Sequence, residues 1–99
     1  MIIAVKGKMD AMSAPEFETK MNEWISQGIL HFIIDFSELI YISSGGLRSI
    51  LLAGKELKRC NGKTVMSSIN GKVKNVFEIS GLTTLFEVYD SVNEALQKV

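Results

Sequence analysis

Across 99 residues the chain has one cysteine, one proline and one histidine, and no excess of either charge. The lone thiol, Cys60, has no partner within the chain, so no internal disulfide can staple the fold, and a reducing, cytoplasmic compartment is the natural reading. Eleven basic side chains cancel eleven acidic ones, so no overall field steers the protein toward nucleic acid or anionic lipid. No apolar run approaches the roughly 20 residues that span a bilayer, which argues against membrane insertion. The opening "MIIAVKGKMD" lacks the length and cleavage pattern of a signal peptide. No metal site and no cofactor is called for. A chain this long is about one domain, 1–99, burying roughly two thirds of its unfolded surface, and any function must sit on the surface of that single core.

What is present alternates between short apolar runs and amphipathic stretches. Ile2, Ile3, Ala4 and Val5 suit a strand over residues 2 to 8, with Asp10 close behind. Ser13 to Glu16 have capping-box spacing with Pro15 just inside the helix start, and Phe17, Met21, Trp24 and Ile25 recur at helical spacing until Gly28. "ILHFIID", residues 29 to 35, is nearly continuous in bulky apolar side chains, as expected of a central strand covered on both faces. Leu47, Ile50, Leu51, Gly54 and Leu57 form one stripe of a later helix, with Arg48, Lys55, Lys58 and Arg59 elsewhere on it. "NGK" at 61 to 63 reads as a turn and "TVMSSI" as a strand. Lys72 to Ile79 form a short helix closed by Gly81, "LFEVY" is a last strand, and Asp90 or Ser91 caps a terminal helix. Met9, Met12, Met21 and Met66 read as core or near-core fillers. The pattern predicts an α/β domain of about four mostly parallel or mixed strands and about four helices.

In such sheets function gathers at the carboxyl ends of strands, where Asp10, Asp35 and Ser43 to Gly46 fall. The stretch "ISSGGLR", residues 42 to 48, places two serines and two glycines at a helix entrance. A serine hydrolase needs a base within reach, yet His31 lies inside the central strand, and the Gly-x-Ser-x-Gly elbow is absent. "NGKT" at 61 to 64 mimics the tail of a phosphate-binding loop, but its first glycine would fall on Leu57 and the segment leads into a strand. A plain N-cap is the commonest role of serine here. The remaining chemistry is phosphorylation of a serine by another protein, with the added charge acting on a docked partner.

"KGKMD", "IIDFSELIYISSGGLRSILLAGKELKRCNGK" and "VFEISGLTTLFEVYDSVNEAL" together resemble the STAS family of anti-sigma factor antagonists and sulfate-transporter domains, over almost the whole chain. The family's Gly-x-Leu-Asp corresponds to Gly7-Lys8-Met9-Asp10, its Asp-x-Ser to Asp35-Phe36-Ser37, and its Gly-Leu-x-x-Leu-Phe to Gly81 through Phe86. The resemblance implies a regulator, not an enzyme. Its partners would be an anti-sigma factor that is also a serine kinase, and a serine phosphatase. By position Ser44 is the phosphoacceptor, with Ser43, which stands in place of the family's aspartate, as the alternative; Gly45 replaces a second hydroxyl. Asp10 and Asp35 would border the loop and accept its amide protons, Gly45 and Gly46 would let a partner's backbone approach, and Arg48, Ser49, Leu52 and Lys55 would supply docking contacts on the exposed helix face. Many members carry another strand ahead of the Gly-x-Leu-Asp strand, so an open sheet edge for homodimer formation is a further expectation. Two other roles share this likeness, a STAS subunit of a lipid or anion transport assembly and a nucleotide-binding STAS module.

Overall fold

A computed structural model describes residues 1–98. The elements are β1 (Ile2–Ala4), β2 (Gly7–Met9), α1 (Ala14–Ser26), β3 (His31–Asp35), β4 (Leu39–Ile42), α2 (Ser44–Arg59), β5 (Lys63–Ser67), α3 (Gly71–Ser80), α4 (Leu82–Leu85), β6 (Glu87–Tyr89) and α5 (Val92–Lys98). Every strand pairing is parallel. Four strands form one sheet in the order β1-β3-β5-β6, and β2 pairs with β4 in a second ribbon. The expected α/β architecture with a parallel sheet and β3 at its interior is what the chain adopts, with more and shorter pieces than about four strands and four helices.

The extra pieces have physical causes. The first strand breaks because Gly7 takes a positive φ of 73°, open to glycine at little cost, and donates its N–H to the Glu38 carbonyl at 2.9 Å. Beyond the break β2 pairs with β4, so residues 1–9 and 31–42 run side by side through both sheets. β4 itself, "LIYI", buries only Leu39 and Ile42, so its exposure lacks strand alternation. "LFEVY" starts too early for a strand, since Leu85 belongs to the one-turn α4 and strand pairing begins at Glu87.

The sheet is covered on both faces. Phe32, Ile34 and Met66 face a layer that includes Met21 of α1, Ile50 and Leu57 of α2 and Phe77 of α3. Ile33 and Val65 face the other way, against Ala95 of α5. Phe36 and Phe77, both fully buried, meet edge to face with ring centroids 5.1 Å apart, worth about 0.5–1.5 kcal/mol beyond their burial. In α2, Ile50, Gly54 and Leu57 are buried as the stripe requires, while Leu47 and Leu51 are half-buried against the core. Met9, Met21 and Met66 are buried, but Met12 is 89% exposed because it sits in the turn between β2 and α1.

Helix ends follow the predicted signals with one exception. Gly81 caps α3 at φ 83°, Gly28 follows α1 at φ 87°, and the Ser91 hydroxyl accepts the Glu94 N–H at 3.1 Å. The expected capping box at Ser13 does not form, because Ser13 is itself helical in φ and ψ and makes no side-chain cap. Asp10 closes the turn ahead of α1 instead, its carboxylate accepting the N–H groups of Met12 at 2.9 Å and Ser13 at 3.1 Å.

Candidate functional site

The paired strands β2 and β4 end together, Met9 opposite Ile42, so Asp10 and Ser43 open adjacent loops. The Ser43 N–H donates to the Met9 carbonyl at 2.9 Å, tying the start of α2 to the end of β2. Ser43 is extended, at φ −92° and ψ 171°, and its Oγ accepts the Gly46 N–H at 3.2 Å. It is therefore the N-cap of α2, satisfying one of the helix's four free amides. Ser44 is the next residue, the first of the helix, and is exposed. Two adjacent hydroxyls thus differ in state, one engaged by the backbone and one presented to solvent.

The two glycines differ as well. A Cβ on Gly46 would lie 2.5 Å from the Met9 carbonyl oxygen and 2.9 Å from Ile42 Cγ1, so this glycine lets α2 start against β2. It is buried by its own chain, which removes it from the surface offered to a partner's backbone. Gly45 is exposed, and a Cβ there would meet only Ser43 Oγ, at an ordinary 3.6 Å.

The flanking acids take different positions. Asp10 adjoins the loop but spends its carboxylate on its own turn. Those amide bonds, Met12's first and Ser13's next, hold its carboxyl below the ordinary aspartate range, with a smaller pull from Lys8. Asp35 pairs in register with Ala4 and Ser67 and is separated in the chain from Ser43 by all of β4. Its carboxylate accepts the Ser37 N–H at 2.9 Å. The expectation that both acids accept the loop's amide protons is corrected, since the acceptor at Gly46 is Ser43 Oγ and each carboxylate serves its own turn.

Along α2, Arg48, Leu52 and Lys55 are exposed, with Leu52 at 44%. Ser49 is not on that surface. It is 1% exposed, and its Oγ lies 2.7 Å from Glu18 Oε1, to which it donates, and 3.2 Å from the Gly45 carbonyl. A sequence reading by helical stripe missed this because serine at 49 is polar and its partner lies 31 residues earlier, on α1. Among the described residues no group of His, Cys, Asp and Glu is placed to hold a metal ion, and no helix is long and apolar enough to cross a membrane.

Fold and loop together define an α/β module that presents a serine hydroxyl at a helix entrance. The STAS-domain profile matches residues 1–95, and the chain belongs to that family. It is 33% identical to the candidate anti-sigma factor antagonist BtrV of Bordetella bronchiseptica, over 92% of this chain and 78% of that protein. It is 30% identical to the anti-sigma-B factor antagonist of Listeria monocytogenes, over 87% of this chain and 75% of that one. Among solved structures, a candidate anti-sigma factor antagonist from Thermotoga maritima superposes with a TM-score of 0.93 at 23% identity, covering 99% of this chain and 85% of that one. The anti-sigma factor antagonist SpoIIAA superposes in its unphosphorylated form with a TM-score of 0.76 at 21% identity, covering 98% of this chain and 84% of that one. The phosphorylated form of the Bacillus SpoIIAA gives 0.77 at 24% identity, covering 98% and 87%.

Proposed function

We propose that this chain is an anti-sigma factor antagonist that binds an anti-sigma factor acting also as a serine kinase, and that phosphorylation of Ser44 releases it until a phosphatase removes the phosphate. One observation carries the choice of residue: Ser43 Oγ is engaged as the cap of α2, while Ser44 is exposed beside it. A kinase must extract Ser43 from a helix cap, at a cost of about 1 kcal/mol, but reaches Ser44 without disturbing the backbone.

The physics of the switch follows from where the charge is added. A phosphate in the first turn of α2 meets the positive end of the helix dipole, worth about 0.3–1 kcal/mol in favour, so the domain has no reason to unfold. The likeness to SpoIIAA in both of its forms supports a fold of this type accommodating the group unchanged. At a docked surface the same dianion loses hydration and faces the partner's own polar groups, which costs several kcal/mol. The interface term exceeds the folding term, so binding changes and fold does not. Arg48, Leu52 and Lys55 on the exposed face of α2 supply the adjoining contacts.

The test is incubation with the cognate kinase and ATP, followed by mass-spectrometric mapping in the parent, Ser43→Ala and Ser44→Ala chains. Phosphate is expected in the first two and absent from the third. Phosphate confined to Ser43 overturns the assignment of the acceptor.

A further inference from the structure

The half of α2 farthest from Ser44 borders a second feature that the phosphoacceptor loop does not use. A cavity of about 430 Å³ lies among Gly54, Lys58, Gly62, Thr64 and Phe86, and a neighbouring one of about 190 Å³ among Leu51, Lys55 and Leu85. The two share Gly54, Lys58, Leu85 and Phe86, so they form one trough between α2 and the α4–β6 junction. Gly54 makes the trough possible, since a Cβ there would lie 2.2 Å from Phe86 Cε1, and the Phe86 ring lies directly on the helix backbone.

The trough combines two properties. Its apolar lining includes the Phe86 ring, Leu51 and Leu85, the last 63% exposed. Along its rim stand Lys55 and Lys58, both exposed, whereas the ion pairs among the described residues engage Lys6, Lys20, Arg59 and Lys63. Lys63 and Glu87 complete the lining, ion-paired to each other at 2.9 Å.

We propose that this trough docks an extended acidic segment of a partner protein. An apolar side chain of the segment would fill the space beside Leu85 and Phe86, and its carboxylates would meet Lys55 and Lys58. Charge complementarity selects the occupant, because Lys55, Lys58 and Lys63 outnumber Glu87 along the lining, which favours an acidic segment and repels a basic one. Lys55 and Lys58 lie 11 and 14 residues beyond Ser44, about 16 and 21 Å along the helix at 1.5 Å per residue. A phosphate on Ser44 is screened over about 8 Å at physiological salt, so this contact persists in both states of the switch. The protein then has a charge-gated face and a constitutive one that meet at Lys55, and the inference stands whether or not Ser44 is the acceptor.

The experiment is a titration of the ¹⁵N-labelled full chain with a short synthetic peptide of alternating acidic residues and Leu or Phe, followed by amide chemical shifts. A peptide with Lys in place of each acid serves as the control. Saturable shifts are expected at Gly54, Gly62, Thr64, Leu85 and Phe86, at equal affinity in Ser44→Glu. Binding should be about tenfold weaker in a Lys55→Glu/Lys58→Glu chain that retains the parent circular dichroism, as for two exposed ion pairs. Equal binding of the Lys control, shifts centred on Ser43 to Gly46, undiminished binding by the double variant, or no saturable shift would each overturn the proposal.

Discussion

Ser43 and Ser44 are chemically identical neighbours whose roles are separated by one hydrogen bond. Because Ser43 Oγ accepts the Gly46 N–H, Ser43→Ala should cost about 1 kcal/mol and lower the Tm by about 4–8 °C in a thermal melt. Ser44→Ala removes an exposed hydroxyl and should stay within about 0.5 kcal/mol of the parent. Asp10 carries the acid sensitivity of the adjoining turn. Its folded carboxyl titrates below the unfolded value of about 3.9, so its stabilisation is present above that pH and is lost as pH falls through the lower folded value. Acid titration followed by circular dichroism should therefore show a smaller loss of stability below pH ~3.9 in Asp10→Ala than in the parent, from a lower starting point at neutral pH. At this scale the serine loop was legible, because hydroxyl and glycine at a helix entrance have local causes. That Ser13 would make no cap while Asp10 closed the turn before α1 was not legible, since the backbone angles at Ser13 decide it. Ser49 was hidden for a longer-range reason, its partner being on another helix.

The junction of β2 with α2 and the contact of α2 with Phe86 are both made through glycines, Gly46 and Gly54. Gly46→Ala forces a Cβ to within 2.5 Å of the Met9 carbonyl, a backbone atom that cannot step aside, and should destabilise the domain by about 1–3 kcal/mol in a denaturant melt. Gly45→Ala, one residue earlier, where a Cβ makes only an ordinary 3.6 Å contact with Ser43 Oγ, should be neutral or stabilise by about 0.4–1 kcal/mol through the unfolded chain. Equal effects at the two positions would refute the account of the junction. The amphipathic helices α1 and α2 and the buried β3 were legible from periodicity and apolar runs. β4 was not, because a strand exposed at Ile40 and Tyr41 in succession breaks alternation, and α4 was not, because one turn is too short for a 3.6-residue period to register.

Taken as a whole, the molecule is a parallel sheet packed on both faces, whose β2–β4 ribbon carries two loops to a common end. That arrangement separates the interior from the surface on which Ser44 is exposed. A protein phosphorylated on Ser44 should melt within a few degrees of the unmodified chain, since the helix dipole favours the group by at most about 2 kcal/mol and Ser44 lies outside the core. The measurement that bears most directly on this is isothermal titration of the cognate anti-sigma factor kinase with the unmodified and the Ser44-phosphorylated protein, both shown to be folded. The account predicts saturable binding by the first and at least about a hundredfold weaker binding by the second, and equal affinity for the two forms would contradict it.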